Sequence, residues 1–533
     1  MEGKMHITRM SSAIFAASAA AVASIGFASH VAASPNVQFQ TVINQGDSIA
    51  GDSFGTASQV VAGPNGSVGI SAVLQNSSDP IIIYSTPVAG NIYLNTAAAV
   101  GGTPYVIPGF TTVPDSFNGF DNLAISPSAL GGTTLTFDAT DGAPNAGILQ
   151  WKPLAPTLTD VAFDGDIKGY SSVGGSGTNS GGSILEMQVN ASAQALFPAI
   201  SNATSASSLV RGDSVSLSTI FTSTPALSNA LETGTRVAVA TDNSAAAVLD
   251  SSTSGTGVYS IPANGGTPTL ISGSFTPNTT NPLIGYASGS GVNAGLMLVN
   301  GATAGTSDVV LEKNNGTPHS ILSSPFTIPT NDVFEAQMSP NGKIALYVPS
   351  TTGDTIQYAN AAAANSSASV IASVAPLVGP APASAVALDP SGSNLYIEAL
   401  TELGQNWAPE VNSNGTIVFT ADVGTSPTST KTALLDWQPG DASPEILVAD
   451  GDTVMVDNQP VTVNDFFLNS LSSESDFYKN ALNDQNGLAV VVDYTDASSN
   501  PGEAVLYTTV PEPGTLSVLG LASAGLMARR RRS

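Results

Sequence analysis

The sequence predicts an all-β body built from repeats: a β-propeller of seven or eight blades, with tandem β-sandwiches or a β-helix as the alternatives. Three observations point there. Hydrophobic residues make up 42% of the chain and charged residues only 10%, with 52 Gly and 34 Pro; that is a core-forming composition rich in turn residues. A unit of apolar approach, Asn-Gly or Ser-Gly turn and alternating apolar strand recurs along the chain. A second landmark, a Trp followed by a Gly-Asp pair, recurs at a fixed offset.

The chain opens on an export leader. Lys4 and Arg9 supply a basic start, residues 14–27 an apolar Ala-rich run, and Val31-Ala32-Ala33 the small residues of a cleavage site. Cleavage by signal peptidase is therefore expected between Ala33 and Ser34. The expected organisation is a secretory signal peptide at 1–33, a β-repeat body at 34–510 and a C-terminal segment at 511–533. The leader and the C-terminal segment carry six of the 14 basic and two of the 40 acidic residues. The body keeps eight cations against 38 acids, a net charge of −30.

The repeat is clearest at Asn65-Gly66, Asn341-Gly342, Asn414-Gly415 and Asn486-Gly487, with a degenerate copy at Asp389-Pro390-Ser391-Gly392. Asn-Gly tolerates the positive φ values of a type I′ turn, whose twist matches that of the flanking strands, so each copy is expected to be a two-residue hairpin. After the turn, Ile344 and Leu346, like Ile417 and Phe419, alternate with other residues and should make one apolar face.

The second landmark appears as Trp151 followed by Asp164-Gly165-Asp166 and as Trp437 followed by Asp450-Gly451-Asp452. The step from Trp to the second Asp is 15 residues in both. Gly46-Asp47 and Gly212-Asp213 are further pairs after apolar approaches, and the two tryptophans should fill equivalent positions in two units. A period near 45 to 60 residues with three or four short strands per unit is the signature of a propeller. The copies are poor at 101–147 and 262–315. The body resembles the NxxGxxAF-type tandem repeat found in bacterial surface proteins; Asn412-Ser413-Asn414-Gly415-Thr416-Ile417-Val418-Phe419 comes nearest to that signature.

After residue 510 stands a rigid elbow, Pro511-Glu512-Pro513-Gly514. An apolar run at 515–528 follows, and then Arg529, Arg530, Arg531 and Arg532. Fourteen residues make about 21 Å of helix, short for a hydrocarbon core of about 30 Å, and the arginines would stay on the cytoplasmic side. A short transmembrane helix of this kind suits a temporary hold. The segment resembles the PEP-CTERM sorting signal, with Pro511, Glu512 and Pro513 for recognition and the four arginines for topology. The resemblance implies processing by an exosortase, a membrane transpeptidase, and delivery to the surface or matrix of a bacterium that makes exopolysaccharide. The alternative reading is a plain membrane anchor.

The remaining chemistry is sparse. A body of net charge −30 repels phosphate backbones and anionic headgroups, so no nucleic-acid partner is expected and the membrane is engaged only through the C-terminal segment. There is no Cys, hence no disulfide, thiolate site or Cys nucleophile. Of three histidines, His6 and His30 lie in the leader. His319 sits in a turn-like Asn-Asn-Gly-Thr-Pro-His stretch with no Gly-x-Ser-x-Gly elbow nearby. Arg211-Gly212-Asp213 is read as a chance tripeptide within the repeat. Asp164, Asp166, Asp450 and Asp452 could work as a glycosidase pair or as oxygen ligands for Ca²⁺, yet Asp in Gly-Asp turns commonly caps its own backbone. No EF-hand loop is present and no cofactor is otherwise implied. The expected function is a non-catalytic surface or matrix protein associated with exopolysaccharide. A carbohydrate-active hydrolase using paired carboxylates and a protein-binding propeller of the envelope are the alternatives.

Overall fold

The computed structural model describes residues 37–510, apart from 96–116, 128–132, 142–145, 154–156, 164–169, 174–186, 202–205, 230–236, 279–282, 329–333, 375–395, 401–408, 425–429, 469–479 and a few shorter gaps. Among them the backbone forms eight antiparallel sheets of four or five strands, with a single 3₁₀ turn at Pro64–Gly66 as the helical element. The sheets are the blades of an eight-bladed β-propeller. Seven follow one another along the chain, at 48–95, 117–163, 170–222, 227–270, 283–320, 335–373 and 396–449. The eighth combines strands between 453 and 509 with Gln40–Asn44 from the start of the body.

That last pairing closes the ring. Gln40–Asn44 runs antiparallel to Pro501–Thr509, with Gln40 opposite Tyr507 and Asn44 opposite Ala504. Closure by the two chain ends leaves no sheet position vacant and ties the termini into one cooperative unit.

The core lies between blades. Seven clusters of buried side chains each join consecutive sheets. Val61, Ile82 and Tyr84 of blade one pack with Phe120, Leu135 and Trp151 of blade two, while Ile81 and Ile83 face the opposite way, toward blade eight. In blade six, Ile344 and Leu346 pack against blade five and Ala345 and Tyr347 against blade seven. The expectation of one apolar face is therefore corrected: each sheet is covered on both sides, so both sets of alternating residues are apolar and strands such as Pro80–Thr86 read as near-continuous hydrophobic runs.

Trp151 and Trp437 do occupy equivalent places, near the ends of the third strands of blades two and seven, facing Leu135 and Ile417 of their second strands. Trp437 stacks at a tilt on Tyr358 of blade six, ring centroids 5.1 Å apart. The segments with poor repeat signals are complete blades, two and five. Their sheets rest on apolar strands, and in blade five Gly289 of the first strand pairs with Val292 of the second, with no Asn-Gly in the sequence between them.

Candidate functional site

In each blade the chain passes outward through four strands, so the turns after the first and third strands share one end of the propeller. The turns after the second strand and between blades share the other. Nearly all the distinctive polar chemistry sits at these two ends.

At the first end, hereafter the turn end, the Asn-Gly hairpins correct the two-residue expectation. In blade seven Asn412 N–H donates to Thr416 O at 3.1 Å and Gly415 N–H to Asn412 O at 3.0 Å, with Gly415 at φ +92°. That is a three-residue loop, a type I turn closed by a left-handed residue. Gly342 fills the left-handed place in blade six, with Asn341 before it outside that region. In blade eight the frame slips by one: Asn486, at φ +58°, is the left-handed residue and Gly487 begins the next strand. In blade one both Asn65 and Gly66 have positive φ. Blades three and four use Ala193 and Asn243 at the same place, at φ +59° and +68°. The degenerate copy near Asp389 lies outside the described residues.

The residue that organises these loops is the one three places earlier. Asn412 Oδ1 accepts from the N–H groups of Asn414 and Thr416, both at 3.0 Å. Asn483 Oδ1 accepts from Gln485 and Gly487, and Asn190 Oδ1 from Ser192 and Gln194. Each side-chain amide thus satisfies the loop's inward N–H groups with one oxygen and keeps its NH₂ for a neighbour. Asn412 Nδ2 donates to Asn483 O and Asn486 Oδ1 of blade eight, Asn483 Nδ2 to Gly63 O of blade one, and Asn190 Nδ2 to Asn243 Oδ1 of blade four. Sequence reasoning named the Asn-Gly pairs as the turns and gave Asn412 no role, although it opens the Asn412–Phe419 stretch; the signal was the Asn at 412 and 483, 71 residues apart.

One layer deeper, buried side chains on the innermost strands latch four of the blades to the next. Gln59 Oε1 accepts from Leu123 N–H, Gln188 Oε1 from Val239 N–H and Gln337 Oε1 from Val411 N–H. In blade seven the latch is Glu410, whose two oxygens take the N–H groups of Ala481 and Leu482 at 3.1 and 2.8 Å. Burial outweighs those two donors and pushes the Glu410 carboxyl up to about 7. Gln337 also donates to Asn480 of blade eight at 2.7 Å, bridging across the inner edge of blade seven.

The opposite end is acidic. Asp465, Asp493 and Glu503 stand directly across from one another on three neighbouring strands of blade eight. Burial pushes Glu503 up to about 7, against the N–H of Ala57 that it accepts at 2.6 Å and with the nearby Asp493 adding to the rise. Asp450, approached by Asp465 and Asp422 and eased by Lys431, is pushed by burial up to about 6. Asp47 and Asp452 cap four-residue turns whose third residues, Gly46 and Gly451, have φ of +89° and +81°; a positive φ there alone is the type II arrangement that selects Gly. Gly212-Asp213 does not belong with them. It forms a turn within blade three at the turn end, where Asp213 N–H donates to Ser216 O.

Asp164, Gly165 and Asp166 lie outside the described residues, as do Ala33, Ser34 and all of Pro511, Glu512, Pro513, Gly514, Arg529, Arg530, Arg531 and Arg532. His319 is in a short strand at the outer edge of blade five rather than in a loop, and is exposed. Arg211 turns inward, donating to the backbone oxygens of Asn243 and Ala263 in blade four. Among the described residues no three His, Asp or Glu gather closely enough to hold a metal ion, and no helix is long and apolar enough to cross a membrane. A cavity of about 450 Å³ lies at the acidic end of blade five, lined by Asn278, Asn300, Thr303, Thr306 and Ser307.

A family model, the PEP-CTERM protein-sorting motif, matches residues 509–532. The chain carries a PEP-CTERM sorting motif. Such a motif signals export and sorting to the surface or extracellular space by an exosortase. No curated protein matches the chain in sequence. Among solved structures, dipeptidyl peptidase 4 of Porphyromonas gingivalis is similar at 9% identity and a TM-score of 0.40, over 88% of this chain and 59% of that one. Prolyl oligopeptidase B from Galerina marginata is similar at 9% and 0.39, over 85% and 55%. TolB from Acinetobacter baumannii follows at 11% and 0.27, over 73% and 81%. The chain thus spans little more than half the length of either peptidase, and likenesses this remote say nothing of activity.

Proposed function

We propose that the protein is a non-catalytic component of the cell surface or extracellular matrix that associates with exopolysaccharide. In this reading signal peptidase removes residues 1–33, and the apolar run of the tail holds the precursor briefly in the inner membrane. An exosortase then releases the single body at 34–510, which is a tandem repeat of the NxxGxxAF type. The observation that carries the reading is a sorting motif continuous with a closed propeller. Support for a non-catalytic body comes from its carboxylates: Glu410, Asp47, Asp452 and Glu503 are engaged by backbone N–H groups of the fold itself.

The test is the C-terminal peptide of the native protein from membrane and extracellular fractions. A chain ending near Pro511–Pro513 outside the cell is expected; Arg529–Arg532 retained in the membrane would make the tail a plain anchor. Co-pelleting of the body with the host's polysaccharide, with and without Ca²⁺, then tests the association. One observation favours a second reading, a carbohydrate-active hydrolase: Asp450 and Glu503 are carboxyls pushed toward neutrality at one end of the ring. Glycan cleavage that disappears in Asp450→Asn or Glu503→Gln would establish it.

A further inference from the structure

The sorting motif and the body overlap. The matched region begins at Thr509, the last residue of the final strand, which faces Gly487 across the sheet. Val510 is completely buried and donates its N–H to Asn486 O at 2.8 Å, inside the loop of blade eight. The folded body therefore continues to the residue before Pro511, and it hands over to the motif at the turn end. From Val510 to the start of the apolar run there are four residues, which span at most about 14 Å fully extended. The final strand has nine residues, Pro501–Thr509, so the acidic end stands about 30 Å further off.

The cations are unevenly spread along the same axis. Of the five cations among the described residues, four lie at the turn end: Lys152, Arg211 and Lys313 near the ends of third strands, and Lys343 at the start of a second strand. Lys431 is the one at the other end, where it acts on Asp450, which Asp465 and Asp422 also approach. The turn end also presents Val215, 88% exposed in the turn after Gly212. The turn end has carboxylates of its own, Asp213, Asp242, Asp441 and Asp484, but four cations stand among them, so a body this acidic is repelled less from an anionic lipid surface at that end than at the other.

We propose that in the precursor the turn end of the propeller lies against the lipid surface that holds the sorting tail, and that the carboxylate-rich end faces outward. This orientation rests on the membrane hold proposed above. It makes the outward end the surface first available to matrix polymer, and it places the blade-eight loop at Asn486, which holds Val510, beside the site of processing.

Because the chain has no cysteine, single labels report unambiguously. The full-length protein would be reconstituted into vesicles of phosphatidylethanolamine with a minor share of phosphatidylglycerol. A fluorophore would be placed at Val215→Cys or Asn341→Cys for the turn end, and at Ser498→Cys or Ser252→Cys for the other; all four sites are exposed. Headgroup-nitroxide lipids are expected to quench the turn-end labels several-fold more strongly. A Gly-Ser linker of about 20 residues after Val510, with a mean span of about 25 Å, is expected to bring that ratio toward one. Equal or reversed quenching in the unmodified junction would overturn the orientation. Co-sedimentation with vesicles, compared with a chain ending at Val510, separates the two claims: no tail-dependent sedimentation defeats the membrane hold and the orientation together, whereas sedimentation without contrast defeats the orientation alone.

Discussion

The two ends of this propeller solve the same problem with different chemistry. At the turn end, neutral amides join blade to blade: Asn412 to blade eight, Asn483 to blade one and Asn190 to blade four, each using its oxygen on its own loop and its nitrogen on the next. At the opposite end, carboxylates are packed side by side, and burial and mutual repulsion raise their proton affinity. An amide needs no counter-charge and does not titrate, so these Asn bonds should themselves persist at any pH. The acidic end should tighten when protonated. Glu410 is the informative exception, a carboxylate in a latch position that Gln occupies in blades three and six.

The sharpest way to break the contrast is to remove an amide. Asn412→Ala deprives Thr416 N–H and the blade-eight loop of their partners in a site with no solvent, and should cost about 3 to 5 kcal/mol, read as a fall in the urea midpoint. Next comes the pH profile. Glu410, Asp436 and Glu503 are pushed up to about 7 and Asp450 to about 6, with burial the leading cause in each. In that window the folded chain binds more protons than the unfolded one, so stability should fall as pH rises from about 4.5 to 7 and beyond. In the other direction, Asp496 is held below the usual carboxylate range by Asn500, and that contribution is lost as pH drops below about 4. The stability optimum should therefore lie on the acid side of neutrality. Glu410→Gln should flatten the alkaline slope by up to about 3 kcal/mol, measured as the difference in unfolding free energy between acid and alkaline pH.

A smaller effect is expected from Asp493→Asn, which relieves repulsion with Asp465 and Glu503 at the acidic end. Half-exposure screens the gain to about 0.5 kcal/mol at pH 8, and none is expected at pH 4. Smallest is Ala193→Gly. Ala193 holds the left-handed place in the blade-three loop, and glycine there should raise the unfolding free energy, read from the urea midpoint, by up to about 1 kcal/mol, because Ala in that region crowds the following carbonyl.

Much of the fold was legible because its evidence is local. Asn414-Gly415 and Asn341-Gly342 mark true hairpins, and Trp151 and Trp437 mark matching positions of two blades. The turn type was misread because Asn-Gly by itself also suits a two-residue loop; what lengthens the loop is the Asn412 side chain reaching forward to Thr416. Gly212-Asp213 and Gly46-Asp47 look alike as dipeptides, yet only the latter sits between blades with Gly in the left-handed region. Blades two and five were faint because apolar strands such as Leu283–Gly289 and Val292–Asn300 carry their register without a diagnostic turn. The carboxylate row of blade eight was invisible, since Asp465, Asp493 and Glu503 are remote in sequence and meet only through strand pairing.

By itself the sequence determined the β-rich repeat body and the address written after residue 510, because periodicity, turn chemistry and a contiguous motif need no partner from elsewhere in the chain. Only the tertiary structure decided the number of blades, the closure of blade eight by Gln40–Asn44, and the end of the ring from which the tail departs. Those are relations between segments hundreds of residues apart. They are set by which apolar faces must cover one another and by which backbone groups Asn412, Asn483 and Glu410 can reach once the faces are covered.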